Sequence, residues 1–309
     1  MKQDSGSNRT PPGRAETARM VTTASSLASG VASAIGRAGG GGREFEFSAA
    51  DFERVRKMIH AHAGIALAPA KQDMVYSRLT RRLRACGDRT FADYLNRVER
   101  DRSEWQHFVN ALTTNLTSFF REAHHFDILA ERLRKHGGGR TIQIWCCAAS
   151  TGEEPYSIAI TACEAFKTLT PPVSIIASDV NTSVLEQAGK GIYTADRIGR
   201  LPAAQLKQFF TPDASAPGAY RVRPELQRLI SFRRVNLLEN NWSVRGPLDA
   251  IFCRNVMIYF DKDTQYAILK RFVPLLDKEG ALFAGHSESF LHAADLFRPL
   301  GRTVYQRAR

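Results

Sequence analysis

Ile142-Gln143-Ile144-Trp145-Cys146-Cys147-Ala148-Ala149-Ser150-Thr151-Gly152-Glu153-Glu154-Pro155-Tyr156-Ser157 is the stretch that decides the reading of this chain. Its first six residues form an apolar run of the length of a strand buried on both faces. Ser150, Thr151 and Gly152 then turn the chain, and Pro155 suits the first turn of the helix that follows. Strand, tight turn and helix open a nucleotide-type α/β site, whose ligand lies outside the carboxyl ends of parallel strands. The charge is unusual for such a site. A dinucleotide turn needs several glycines and must welcome pyrophosphate. Here one glycine stands beside two carboxylates, Glu153 and Glu154, which repel phosphate. An adenosine ligand without phosphate and with positive groups of its own, such as S-adenosylmethionine (SAM), suits them better. An alternative stays open at this point: Ser150-x-x-Glu153 and Thr151-x-x-Glu154 also match a helix capping box.

Working outward, a second apolar run, Val173 to Ser178, ends in Asp179, an acid placed at a strand tip to accept hydrogen bonds from ribose hydroxyls. A helix N-cap is the other use for it, since Asn181 and Thr182 follow. Residues from about Tyr193 to Phe232 break the strand–helix alternation and read as a small insertion. It contains a short helix around Leu206, Phe209 and Phe210, and strand pieces at Tyr220–Arg223 and Leu229–Phe232, whose edge would suit a peptide. Alternation resumes at Val235-Asn236-Leu237-Leu238. The strand Asp249–Cys253 runs into Arg254-Asn255-Val256-Met257-Ile258-Tyr259. A helix from Asp261 to Leu276, the strand Ala281–Ala284, the loop Gly285–Ser289 and an edge strand at Val304 and Tyr305 complete the pattern.

Upstream, residues 45–112 carry helical periodicity: Phe52, Val55 and Ile59; Val75, Leu79 and Leu83; Phe91, Tyr94, Leu95 and Val98; Trp105, Phe108, Val109 and Leu112. Four short helices are expected. The second carries Arg78, Arg81, Arg82 and Arg84 opposite its apolar stripe, which reads either as a solvated face or as a docking surface for acidic groups. Thr113 to Glu122 is rich in Thr, Asn and Ser and reads as a linker across 113–124, with Phe119 and Phe120 needing a place to bury. A helix through Phe126, Leu129 and Leu133 leads to the break at Gly137-Gly138-Gly139. Residues 1–44 are rich in Gly, Ser, Ala and Thr and too poor in large apolar groups to build a core, so a disordered tail is expected.

The whole chain of 309 residues has room for two domains, is 43% apolar, and carries a formal charge of +12, which implies an acidic partner. No run approaches the length of a membrane-spanning helix. Cys86, Cys146, Cys147, Cys163 and Cys253 lack metal-ligand spacing and read as buried thiols in a reducing, cytoplasmic compartment. His124 and His125 are sequence neighbours on different helix faces and make poor metal ligands, so no metal is expected.

Four stretches together resemble the CheR-type chemotaxis receptor methyltransferases: Thr113-Thr114-Asn115-Leu116-Thr117-Ser118-Phe119-Phe120-Arg121-Glu122, Ser150 to Ser157, Arg254 to Phe260, and Phe283-Ala284-Gly285-His286-Ser287-Glu288-Ser289. The resemblance spans about Phe52 to Tyr305. It implies a class I SAM-dependent methyltransferase domain over 125–309, Rossmann-like with a mostly parallel seven-stranded sheet and an inserted β-subdomain (193–232), preceded by an all-α domain. The implied activity is methyl transfer from SAM to glutamate side chains on the cytoplasmic helices of chemoreceptors, by a monomeric enzyme working at the membrane-proximal receptor arrays.

Carried over by motif, the SAM-contacting positions would be Asn115, Thr117, Arg121, Glu154, Asp179, Asn236, Leu237, Arg254 and Asn255, with Tyr259 beside the transferring methyl. Arg121 and Tyr259 would orient the reactants, and the basic second helix would meet the acidic methylation region of the receptor. Some relatives bind a receptor's C-terminal tail peptide through a glycine-rich loop with an arginine. Here Thr211 to Gly218 lacks both, leaving Arg221 on the following strand. Two rivals remain: a nucleic-acid methyltransferase, disfavoured because Asn255-Val256-Met257-Ile258-Tyr259 lacks the prolines of an amino-methylating turn, and a non-catalytic SAM-binding adaptor.

Overall fold

The structure, a computed structural model, describes residues 43–136 and 139–308. The tail expected over 1–44 and two glycines of the 137–139 break lie almost wholly outside the described residues.

Amphipathic helices α1 (Ala49–Ala63), α2 (Gln72–Cys86), α3 (Phe91–Arg100) and α4 (Arg102–Leu112) gather their apolar stripes into one core around Val55, Ile59, Leu79, Tyr94 and Phe108. Each start and stop has a local cause. Ser48 and Asp51 form a capping box before α1, Thr90 and Asp101 cap α3 and α4, and Gly64 and Gly87 end α1 and α2 in the left-handed conformation.

Helix α5 (His124–Lys135) leads into strand β1 (Ile142–Cys146), then α6 (Glu153–Phe166), β2 (Val173–Asp179) and α7 (Thr182–Lys190). An insertion follows: β3 (Ile192–Thr194), α8 (Ala195–Ile198), α9 (Ala203–Phe209), β4 (Phe210–Pro212), β5 (Ala219–Val222) and α10 (Pro224–Gln227). The chain returns through β6 (Ile230–Arg234), β7 (Leu248–Cys253), α11 (Lys262–Phe272), β8 (Leu276–Ala284), β9 (Phe297–Gly301) and β10 (Val304–Arg307). The main sheet has seven strands in the order β6-β2-β1-β7-β8-β10-β9, with β6 to β8 parallel and β10 antiparallel to both its neighbours. The insertion forms its own three-stranded antiparallel sheet, β3-β5-β4.

Both faces of the main sheet are covered, which is why β1 is apolar at every position except Gln143. Cys146 packs into the core shared with α5 and α6, while its neighbour Cys147 packs into the opposite core with Ile268, Leu269 and Phe272 of α11. Phe119 finds its place against Tyr193 and Phe210 of the insertion, and Phe120 against Phe126.

Three expectations are corrected. The strand expected at Leu229–Phe232 belongs not to the insertion but to the main sheet: as β6 it pairs in parallel with β2, Ile175 opposite Ile230, because strand–helix alternation resumes there rather than at Val235. Helix α11 stops at Phe272 instead of reaching Leu276, since Pro274 has no N–H to continue the helical ladder and β8 has begun by Leu276. Val304 and Tyr305 do not close the sheet; β9 lies outside them as the edge.

Candidate active site

The carboxyl ends of β1, β2 and β7 converge on a cleft whose opposite wall is the turn between α1 and α2. Beyond β1 the chain reverses sharply, with Ser150 at φ +48° and Gly152 at φ +99°. Only glycine fits at 152: an added Cβ would fall 2.6 Å from the Tyr193 hydroxyl and 2.9 Å from Ala188 Cβ. The capping box is not formed. Helix α6 has no side-chain N-cap; Thr151 donates instead to Glu153 at 2.7 Å, and Arg197 of the insertion pairs with the same buried carboxylate. Glu154 is thereby left facing the cleft.

Glu154 is held from behind. Arg254 Nη1 lies 2.5 Å from its Oε2, Cys146 Sγ donates to its Oε1 at 3.2 Å, and Arg254 Nη2 also reaches Glu122 Oε2 at 3.3 Å and the Arg121 carbonyl. Burial alone would raise the Glu122 carboxyl, but the hydrogen bond with His286 and the Arg254 charge outweigh it and hold the group at about 2. Asp179 accepts N–H bonds from Ser150 and Asn181, each at 2.9 Å, one on each oxygen, which leaves further acceptor capacity on both. It does not cap α7; Asn181 does, accepting from Ser183 and Val184. Burial pushes the Asp179 carboxyl up, partly opposed by those backbone donors.

Of the positions named from sequence, Asn115, Thr117, Arg121, Glu154, Asp179, Asn236, Leu237, Asn255 and Tyr259 line the cleft. Arg254 does not; it is sealed beneath the floor, where it fixes Glu154 and Glu122. Asn236 donates to the His62 carbonyl at 2.6 Å and accepts from Leu238 N–H, so its amide ties the helical domain to the sheet. Arg121 Nη1 donates to the Leu116 carbonyl at 3.0 Å, folding the linker over the cleft.

The four arginines of α2 divide. Arg82 grips Glu104 with two hydrogen bonds, at 3.0 and 2.6 Å, and Arg78 donates to the carbonyls of Ala111 and Thr113 at 3.2 and 2.8 Å. Both therefore brace the helical domain and the linker, and Arg81 and Arg84 form the more exposed part of the row. The partners lie on α4 and at the start of the linker, which helical spacing within α2 does not reveal.

Sequence reasoning missed the far wall: Ala63, Ile65 to Ala68, Lys71 and Met74. Its signal was an apolar segment, Ile65 to Ala68, left outside any helix between Gly64 and Pro69. At Gly64 an added Cβ would meet the Phe260 ring at 2.6 Å, so the α1–α2 turn and the loop after β7 are pressed together. His124 and His125 converge more than their adjacency suggested, offering with Glu122 three donor atoms within 4.8 Å of one another. The Glu122 carboxylate is already taken by Arg254 and by His286 Nδ1, 3.0 Å away.

The donor set fits SAM: carboxylates for its cationic amine and ribose hydroxyls, apolar walls from Leu112, Val180 and Leu237 for a base, and a turn hostile to phosphate. The sheet order, with its one reversed strand next to the edge, and this cleft define a class I SAM-dependent methyltransferase. Residues 50–113 match the family model for the CheR methyltransferase all-alpha domain, and residues 115–306 that for the CheR methyltransferase SAM binding domain. The chain belongs to the CheR methyltransferase family. It is 52% identical to chemotaxis protein methyltransferase 2 of Pseudomonas aeruginosa over 276 residues, 87% of this chain and 96% of that one. It is 52% identical to the chemotaxis protein methyltransferase of Salmonella typhimurium (84% of this chain, 90% of that one) and 50% identical to that of Escherichia coli (84% and 91%). Among the described residues no helix is long and apolar enough to cross a membrane.

Proposed function

We propose that this enzyme transfers the methyl group of SAM to glutamate carboxylates on the cytoplasmic helices of chemoreceptors, giving glutamate 5-O-methyl esters and adjusting receptor signalling at the receptor arrays. The observation that carries the reading is a cleft shared by the sheet and the helical domain, carboxylate-floored at Glu154 and Asp179 and bordered by Arg121 and Tyr259, with no histidine among the described residues that line it. A glutamate side chain with its ordinary pKa of about 4.3 is already ionised near neutrality, so the site needs no general base. SAM supplies the electrophilic methyl. Glu154 and Asp179 hold the donor's polar groups, Asn115, Thr117, Asn236, Leu237 and Asn255 shape its seat, and Arg254 pairs with Glu154 and holds it in place. Arg121 and Tyr259 orient the incoming carboxylate. Opposite charges are lost as the ester forms, so the linker folded over the cleft assists by limiting water. Arg81 and Arg84, on the exposed side of α2, meet the acidic methylation region.

The test is incubation with methyl-labelled SAM and receptor-containing membranes. Label released as methanol by mild base identifies a carboxyl ester. Label that resists base, or that appears on nucleic acid, would sink the reading.

A further inference from the structure

Glu288 has no part in the chemistry above, yet it is buried (5% exposed) directly behind the loop that carries Asn255 and Tyr259. Its partners are backbone amides. Oε2 accepts from Gly285 at 2.5 Å and Asn255 at 2.9 Å; Oε1 accepts from Val256 at 2.9 Å and Met257 at 2.7 Å. Three consecutive N–H groups can point at one carboxylate only if the chain leaves extended geometry. It does so with Asn255 at φ +57° and Val256 at φ −125°, ψ −35°. The same bend starts the 3-10 turn Met257–Tyr259, which brings Tyr259 to the cleft. It also seats the Asn255 amide over Gly285, where an added Cβ would fall 2.4 Å from Asn255 Nδ2.

We propose that Glu288 is a positioning residue for methyl transfer: its carboxylate gathers the amides at the ends of β7 and β8 and so sets Asn255 and Tyr259 against the cleft. The inference rests on the methyl-transfer reading of that cleft. A carboxylate is the side chain this geometry requires, because it offers acceptors on both oxygens and no donor. Glutamine is isosteric, but its NH2 would face two of the four N–H groups and push the bend open. Aspartate keeps both oxygens and retreats by one methylene.

The test uses the full chain, wild type and E288Q, E288D and G285A, with receptor-containing membranes and methyl-labelled SAM, alongside calorimetric binding of S-adenosylhomocysteine and thermal melting. E288Q is expected to lower kcat on the order of 100-fold, as a displacement of about 1 Å near the chemistry does, while S-adenosylhomocysteine affinity, which among the displaced groups depends on Asn255, falls by no more than about tenfold and the KM for receptor stays within about threefold. E288D is expected to recover part of kcat. A folded E288Q with near wild-type kcat overturns the inference, as does a loss of kcat matched by equal losses of binding and of folded protein. Should E288Q not fold, G285A decides: it displaces Asn255 with Glu288 intact, and the same kcat-selective loss supports the inference whereas unchanged kcat refutes it. A wild type that leaves receptors unlabelled overturns the methyl-transfer reading and this inference together; an active wild type matched by E288Q overturns this inference alone.

Discussion

Arg254 and Glu154 form a buried ion pair across the cleft floor, Nη1 to Oε2 at 2.5 Å, with the guanidinium wholly enclosed and the carboxylate turned toward the donor site. The pair joins the loop after β7 to the first turn of α6, and a second carboxylate, Glu122, closes the set from the linker. Three separate segments are thus locked at one point.

Arg254→Met should therefore destabilise sharply. It leaves Glu154 and Glu122 desolvated without their cation, a loss of roughly 3–5 kcal/mol for a broken buried pair. A urea titration of the variant against wild type measures it. S-adenosylhomocysteine affinity should fall as well, because Glu154 loses the guanidinium that fixes its position at the cleft floor. A midpoint within experimental error of wild type would show that the floor does not depend on this pair.

The parts of this arrangement that were legible in the sequence are the local ones. Apolar runs of strand length, the single-glycine turn at Gly152 and the acid at the tip of β2 each announce themselves within a few residues, and they place the cleft at the sheet's carboxyl edge. What was hidden depends on partners distant in the chain. Arg254 looked like a ligand contact because nothing near it in sequence shows that Glu154, 100 residues earlier, and Glu122, farther still, enclose it. Arg78 and Arg82 looked like a free basic face because their acceptors lie on α4 and the linker. β6 was assigned to the insertion because its exposed Arg233 and Arg234 mask an otherwise ordinary parallel strand.

Tyr259 is half-buried on the cleft wall, its backbone carbonyl held by Ala66 N–H at 3.4 Å. Tyr259→Phe keeps the ring and removes only the hydroxyl. Turnover should fall about tenfold, equivalent to roughly 1.4 kcal/mol of transition-state stabilisation, with S-adenosylhomocysteine affinity nearly unchanged. Single-turnover labelling separates the two effects. Equal kcat in both proteins would remove Tyr259 from the chemistry.

Arg221, the arginine on the strand after the Thr211–Gly218 loop, is committed within the insertion. Its Nε and Nη2 both lie 2.7 Å from Asp213 Oδ2, and the Asp213 side chain is almost fully enclosed. A tail peptide would have to compete with that pair, so calorimetry should detect no binding tighter than about 1 mM, or roughly −4 kcal/mol. Micromolar binding lost in Arg221→Ala would reverse this conclusion.

Acid should unfold the protein in two overlapping steps with identifiable owners. Burial first, and then the Arg254 charge, push the His125 imidazole down from 6.5 to about 4, while its Nε2 lies 2.9 Å from the Arg302 carbonyl. Between those values the unfolded chain binds a proton that the folded chain does not, so stability falls as pH drops from 6.5 toward 4. Glu122, held at about 2 against an ordinary 4.5, contributes stability that is complete above 4.5 and is lost as pH falls toward 2. Unfolding free energies from urea titrations at pH 7 to 3 should therefore decline throughout, by up to about 3 kcal/mol from His125 alone. His125→Gln should flatten the upper part of that decline, from 6.5 to 4, and leave the lower part in place. A variant whose profile runs parallel to wild type across the upper range would assign the acid sensitivity to other groups.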